Sequence, residues 1–156
     1  MATILVDFDG TCIPALPMGG YANNYDTGAE RVLRNLQKAG HDIVLWTVRN
    51  NSEDNPYNVV SKEFNKIDSL TEAANWFKDR EIKLLGINEV PGEVEKVGSG
   101  RKILGDFLID DTAIGAPIKF VTIDYYSYIT DSTQKIKTFH IDWEKLEVLL
   151  KELNLL

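Results

Sequence analysis

Residues 3–11 read TILVDFDGT, a short apolar run that ends in two aspartates, a glycine and a threonine. The apolar part is rich in branched side chains and predicts a buried strand, after which Gly10 lets the chain turn sharply. Asp7 and Asp9 come at the end of this strand, where unpaired buried charge is costly. Mg²⁺ prefers hard oxygen ligands and would offset that cost. An exposed acidic turn is the alternative that this motif alone does not exclude.

A second acidic pair follows another apolar run. Residues 106–109 (DFLI) predict a strand, and Asp110 and Asp111 come directly after it. Adjacent carboxylates raise each other's pKa unless a cation lies between them. The pair therefore predicts metal ligands, with a helix-capping role for Asp111 as the alternative.

A third apolar run, residues 42–46 (DIVLW), ends at Thr47. The Thr47 hydroxyl and the backbone N–H groups of Val48 and Arg49 could donate to a phosphate oxygen. Phosphoryl transfer also relies on a placed positive charge. Lys102, eight residues before Asp110, is the first candidate for that cation, and Lys96 and Lys83 are possible substitutes.

Strands alternate with helical segments along most of the chain, which predicts an α/β fold with a mainly parallel sheet. Residues 49–58 read as a loop, and residues 118–128 and 135–141 as a hairpin or a pair of late strands. Helices are predicted from an N-cap at Thr27 to Gly40, from an N-cap at Ser69 to about Arg80, and over residues 143–153. Because ligands bind beyond the carboxyl ends of parallel strands, Asp7, Thr47 and Asp110 should meet at one sheet edge.

The composition fits one globular domain over residues 1–156. A net charge of −7 without Lys/Arg runs argues against nucleic acid as a structural partner. The absence of a long apolar run argues against a membrane partner. The single Cys12 fits a reducing compartment, and no secretory signal is recognisable, so a cytoplasmic protein is expected. An acidic protein can still bind a phosphorylated small molecule or macromolecule if a metal ion supplies positive charge.

In its motifs the chain resembles the haloacid dehalogenase superfamily phosphatases. The family's first motif is matched by ILVDFDGT, its second by IVLWT and its acidic pair by FLIDD, and Lys102 is a plausible match for its lysine. The resemblance covers residues 3–115 and implies a three-layer Rossmann-like fold with helices on both faces of the sheet.

The same resemblance implies a Mg²⁺-dependent phosphatase that forms an aspartyl-phosphate. Asp7 is then the nucleophile and Asp9 the general acid/base. The implied metal ligands are Asp7, the backbone carbonyl of Asp9, Asp110, and Asp111 directly or through water. The implied phosphate-binding residues are Gly10, Thr11, Thr47, Val48, Arg49 and Lys102.

Family members often carry a separate cap domain over the site. Only 39 residues separate Asp7 from Thr47, and 62 separate Thr47 from Asp110, which leaves no room for such a domain. An open site is therefore expected, screened by a flap over residues 12–27. The aromatic segment within residues 118–141 is either core or an interface of a homo-oligomer, and it precedes a closing helix that ends the 118–156 region.

Two other classes of protein share parts of this pattern. A phosphoreceiver domain also uses an acidic pair, an aspartate, a threonine and a lysine, but its acidic pair comes before the acceptor aspartate. A non-catalytic scaffold that keeps a metal site is the second alternative, because a fold does not fix a function. The natural substrate is not specified by the sequence.

Overall fold

Four short apolar strands form a parallel sheet in the order β4-β3-β1-β5. A computed structural model of the chain describes residues 1–22, 25–63, 68–93 and 103–156. Its strands are β1 (Thr3–Val6), β2 (Gly20–Ala22), β3 (Asp42–Leu45), β4 (Leu84–Ile87), β5 (Phe107–Ile109), β6 (Ile118–Ser127) and β7 (Ser132–Ile141). Its helices are α1 (Ala29–Lys38), α2 (Pro56–Glu63), α3 (Ser69–Asp79) and α4 (Trp143–Glu152).

One face of the parallel sheet carries the core. Ile4 pairs with Ile43 and Val6 with Leu45, and because side chains alternate along a strand these four point to the same side. All four are fully buried. The apolar residues of α1, α3 and α4 belong to the same cluster, including Leu33, Phe77 and Trp143.

The remaining strands form an antiparallel sheet in the order β2-β6-β7. β6 and β7 make a long hairpin in register from Ile118–Ile141 to Ser127–Ser132. β2, within the predicted flap, pairs with the far end of β6. The flap is thus tied to the hairpin, and Tyr25 adds a contact of its hydroxyl with His140 Nε2 at 3.3 Å.

The C-terminal region also holds the loop that follows β1. Ile141 N donates to Gly10 O at 2.9 Å, and the indole Nε1 of Trp143 donates to Thr11 O at 2.9 Å. Trp143 is almost fully buried. The hairpin and α4 therefore fix the backbone around Gly10 and Thr11.

The α/β class, the mainly parallel sheet and the late hairpin are confirmed. The prediction of a loop over residues 49–58 is wrong at its end, since α2 begins at Pro56. The N-caps also differ by one residue: Gly28 rather than Thr27 caps α1, and Asp68 rather than Ser69 caps α3. Within the described part of the chain, none of the helices has the length and apolar character needed to cross a membrane.

Candidate metal and catalytic site

Three carboxylates converge at the carboxyl edge of the parallel sheet. Asp7 follows β1, and Asp110 and Asp111 follow the neighbouring β5, where Asp7 N donates to Ile109 O at 2.9 Å. One side-chain oxygen from each of the three lies within 4.8 Å of the others. Hard carboxylate oxygens at this spacing are a donor set that fits a divalent cation. The convergence predicted from the sequence is therefore present, and we call these residues the acidic triad.

Thr11 joins the two halves of the acidic triad. Its hydroxyl donates to Asp7 Oδ2 at 3.0 Å and accepts from Asp111 N at 3.2 Å, and the residue is fully buried. In this arrangement Thr11 holds the two carboxylates together, and its role as a phosphate ligand stays a prediction.

Gly10 is required by space as well as by backbone conformation. Its φ is +75°, and a Cβ at this position would lie 2.6 Å from Asp111 Oδ2. Any side chain here would push the Asp111 carboxylate away from its position in the acidic triad.

The acidic triad is electrostatically strained without a cation. Burial raises the pKa of Asp7 to about 7, against the opposing effect of hydrogen bonds from Phe8 N–H and Thr11, and the charges of Asp110 and Asp9 add to the rise. Burial and the charge of Asp110 also raise the pKa of Asp111. A bound cation would relieve both effects, because positive charge favours the ionised carboxylates.

Asp9 pairs with Arg49 and does not belong to the cluster of the acidic triad. Arg49 donates from Nε to Asp9 Oδ2 at 2.8 Å and from Nη2 to Asp9 Oδ1 at 2.7 Å. Arg49 Nη1 donates to Glu72 Oε2 at 2.8 Å and to Ser69 O at 3.2 Å. The guanidinium also lies over the Phe8 ring, 4.8 Å from its centroid. The Asp9 side chain is therefore not among the clustered metal-ligand candidates.

Arg49 remains charged although it is buried. Burial acts to lower the pKa of its guanidinium, but the hydrogen bonds and charges of Asp9 and Glu72 outweigh burial and raise it. Two carboxylates thus stabilise one buried cation, in the fork geometry that arginine provides.

The segment after β3 uses its polar groups internally. Thr47 N donates to Asn88 Oδ1 at 2.8 Å, and Arg49 N, a predicted phosphate donor, donates to Thr47 Oγ1 at 3.2 Å. Thr47 is nearly buried, and the Val48 side chain is exposed. Thr47 follows the strand beside β1 and so lies at the same sheet edge as Asp7.

Of the three lysine candidates, only Lys83 lies within the described residues. Lys102 and Lys96 lie outside the described residues. Lys83 precedes β4, at the amino edge of the parallel sheet, and its carbonyl accepts from Gln37 Nε2. The acidic triad lies at the carboxyl edge, so Lys83 is far from the predicted phosphate site.

A cavity of about 430 Å³ lies beneath the flap, next to the Asp9–Arg49 pair. Its lining includes Phe8, Asp9 and Arg49 together with Glu72 and Trp76 of α3. The flap and the end of the hairpin contribute the rest, including Met18, Tyr21, Tyr25 and Tyr128. Three residues of the predicted flap, Met18, Tyr21 and Tyr25, therefore line this cavity.

Sequence reasoning missed the Arg49 side chain and its partner Glu72. Arg49 was singled out only for its backbone N–H. An arginine two positions after a strand-end threonine gives a weak signal for an ion pair with the first motif, and Glu72 on α3 gives none. Their pairing depends on tertiary structure that the spacing does not reveal.

Replacement of Gly10 by alanine should weaken metal binding. Gly40→Ala is a matched control, because Gly40 has a similar φ of +88° but no atom within 4 Å of its Cβ position. We expect both variants to lose about 1–2 kcal/mol of stability from the left-handed backbone. If the acidic triad is a Mg²⁺ site, only Gly10→Ala should also lose affinity for this ion, by about tenfold or more, as Asp111 is displaced. Urea denaturation and calorimetric titration with Mg²⁺ measure the two effects, and equal Mg²⁺ affinity in both variants would contradict this account.

The fold and the site together define an α/β protein with an acidic triad at the carboxyl edge of its parallel sheet. No protein-family model matches the chain, and no curated protein matches it. A solved structure, described as that of a conserved protein coded by a locus from Bacteroides thetaiotaomicron, is similar at 29% identity. The match covers 73% of this chain and 78% of that one, with a TM-score of 0.49.

Proposed function

We propose that the chain is a Mg²⁺-dependent phosphoester hydrolase that forms a covalent aspartyl-phosphate on Asp7. The observation that carries the proposal is the acidic triad of Asp7, Asp110 and Asp111. Few arrangements other than a cation site account for three clustered, partly buried carboxylates in which burial, with the charge of Asp110 added, raises the pKa of Asp7 and Asp111. The motifs that resemble the haloacid dehalogenase superfamily add support, and they make Mg²⁺ the expected ion.

The proposal assigns each step to residues of the chain. Asp7, Asp110 and Asp111 would hold Mg²⁺, which supplies positive charge near the transferring phosphoryl group. An oxygen of ionised Asp7 attacks phosphorus, and the bond from phosphorus to the ester oxygen breaks. Asp9 gives its proton to that oxygen. It then takes a proton from the water that attacks the aspartyl-phosphate, so that phosphate leaves and both carboxyl groups are restored.

The pair with Arg49 bears on the role of Asp9. A guanidinium partner fixes the orientation of the Asp9 carboxylate and occupies both of its oxygens. This pairing suits the step in which Asp9 takes a proton from water. For Asp9 to give a proton to the ester oxygen, the substrate must loosen the pair. Substrate binding and proton transfer would therefore be linked at the Asp9–Arg49 contact.

The proposed function also implies a three-layer fold and a cytoplasmic location. The crossovers from β1 to β3 and from β3 to β4 contain α1 and α3, whose buried residues face one side of the sheet. The three-layer arrangement of the superfamily would add helical cover on the other side, beside Leu5 and Val44. We propose that the chain is a single domain without a cap, and that it acts in the cytoplasm on a phosphorylated small molecule or macromolecule.

Turnover of p-nitrophenyl phosphate tests the proposal. We expect repeated turnover with Mg²⁺, no turnover after treatment with a chelator, and recovery when Mg²⁺ is added back. Asp110→Asn should weaken Mg²⁺ binding and turnover, while Asp124→Asn, an exposed acid paired with Lys135, should change neither. Incorporation of one phosphate without turnover would instead indicate a receiver domain. Mg²⁺ binding without any reaction across a panel of phosphate esters would indicate a scaffold.

A further inference from the structure

We infer that the cavity beneath the flap binds the organic part of the substrate, and that this part is an uncharged planar heterocycle with N–H donors, as in a nucleoside monophosphate. The inference rests on the proposed function for the identity of the reacting phosphate. The choice of ligand rests on the aromatic rings and the charges of the cavity walls.

The position of Asp9 connects the cavity to the reaction. A general acid must come within hydrogen-bond reach, about 2.6–3.2 Å, of the oxygen that it protonates. That oxygen joins phosphorus to the rest of the substrate. Asp9 lines the cavity, whereas the acidic triad does not. With phosphate at the acidic triad, the group beyond the ester oxygen therefore enters the cavity.

The cavity walls are rich in aromatic rings. Tyr21 and Tyr128 stand on one side, 5.6 Å apart between centroids, and Trp76 stands on α3. Tyr126 packs against both tyrosines and supports them from outside the lining. A volume of about 430 Å³ lies in the range of pockets that hold small organic ligands, about 300–1,000 Å³. Aromatic walls of this kind favour a planar ring over a sugar alone, since rings gain from stacking.

The charges around the cavity exclude an anionic organic part. Its lining carries three carboxylates, on Asp9, Glu72 and Asp79, and two guanidinium groups. Arg49 is paired with Asp9 and Glu72, and Arg80 lies over the Trp76 ring with its Nε 3.5 Å from Glu30. A second phosphate would meet net negative charge and cations that already have partners. N–H groups of a heterocycle, on the ring or on an amino substituent, would instead find acceptors in Glu72, Asp79 and the amide oxygen of Asn75.

Binding of ligands that lack phosphate tests the cavity apart from catalysis. Calorimetric titration of the whole protein, with and without Mg²⁺, should show binding of adenosine but not of ribose. Purine riboside, which lacks the amino group, should bind more weakly than adenosine. Tyr128→Leu should weaken adenosine binding by about tenfold, while Tyr128→Phe keeps the ring and most of the affinity. Phe120→Leu changes an exposed aromatic on β6 outside the cavity lining; it is the control and should leave binding unchanged.

Turnover separates failure of the inference from failure of the proposed function. We expect kcat/KM for adenosine 5′-monophosphate to exceed that for ribose 5-phosphate by tenfold or more, and Tyr128→Leu to reduce this ratio. Adenosine binding without turnover of any phosphate ester would support the cavity ligand and overturn the phosphatase. Equal turnover of the two esters, with no binding of adenosine by the folded wild-type protein, would overturn the inference and leave the phosphatase in place.

Discussion

Replacement of Asp7 by asparagine is expected to remove turnover and, at the same time, to stabilise the metal-free protein. In the proposed function Asp7 is the nucleophile, so its loss should reduce kcat to below about a thousandth of the wild-type value. The amide keeps the size of the carboxyl group and removes a charge that burial and two neighbouring carboxylates disfavour. We expect a gain of about 2 kcal/mol at neutral pH, with allowance for partial exposure of the group. That gain corresponds to roughly 4–8 °C in Tm for a chain of this size.

The gain in stability should depend on pH in a defined direction. The pKa of Asp7 is about 7 in the folded protein, against an ordinary value of 3.8. Below pH 3.8 Asp7 is protonated in both the folded and the unfolded state and causes no loss. As the pH rises from about 4 to about 7, the unfolded chain releases its proton while the folded protein retains it, so wild-type stability falls. The difference between Asp7→Asn and wild type should therefore grow over this window and stay constant above it.

Thermal melts from pH 4 to pH 8, in chelator and in Mg²⁺, measure both effects. A smaller slope should persist in Asp7→Asn, because Asp111 also has a raised pKa. With the proposed site, Mg²⁺ should reverse the trend for wild type, since it would bind the folded protein with its carboxylates ionised. Asp124→Asn again serves as the control. A wild-type protein whose metal-free stability does not change between pH 4 and pH 7 would contradict the electrostatic account of the acidic triad.

The second large effect is expected from Arg49→Met. Methionine matches much of the arginine volume but leaves Asp9 and Glu72 without their cation. Removal of one partner from a buried ion pair costs about 3–5 kcal/mol, because the remaining charge is uncompensated. The stability of Arg49→Lys should lie between those of the wild type and Arg49→Met, because an ammonium cannot reproduce the paired bonds to Asp9 together with the bond to Glu72. Urea denaturation at pH 7 measures the loss.

Two further variants show whether the loss arises from the pair. Arg31→Met is the matched control, because Arg31 is paired with Glu147 on the surface and should contribute less than about 1 kcal/mol. Adding Asp9→Asn to Arg49→Met should restore part of the stability, since the unpaired buried charge is removed. If Arg49→Met loses no more stability than Arg31→Met, the buried pair is not what holds Asp9 in place.

The fold could be predicted where the sequence signal is local. β1, β3, β4 and β5 are short apolar runs with sharp polar ends. α2 was missed because its Asn-rich approach, with Asn55 directly before Pro56, is typical of a loop. β2 was missed because a three-residue strand has no periodicity, and it exists only through pairing with β6, about a hundred residues later.

The candidate site could be predicted in its backbone and less well in its side chains. Parallel strands bring their carboxyl ends to one edge, so the meeting of Asp7 with Asp110 and Asp111 follows from topology. The direction of Asp9 does not follow from it. Asp9 turns to Arg49 because a guanidinium is nearby in the folded chain, and a single sequence carries no record of that proximity.

The hydrogen bond from the Trp143 indole to Thr11 O joins residues 132 positions apart. During synthesis the strand and loop that carry Asp7 emerge before α4, so the support for that loop is made only once α4 has been translated. A nascent chain that lacks α4 should therefore hold Asp7 and Asp9 beside an unfixed loop. The loop of the acidic triad would thus take its final form later than its position in the chain suggests.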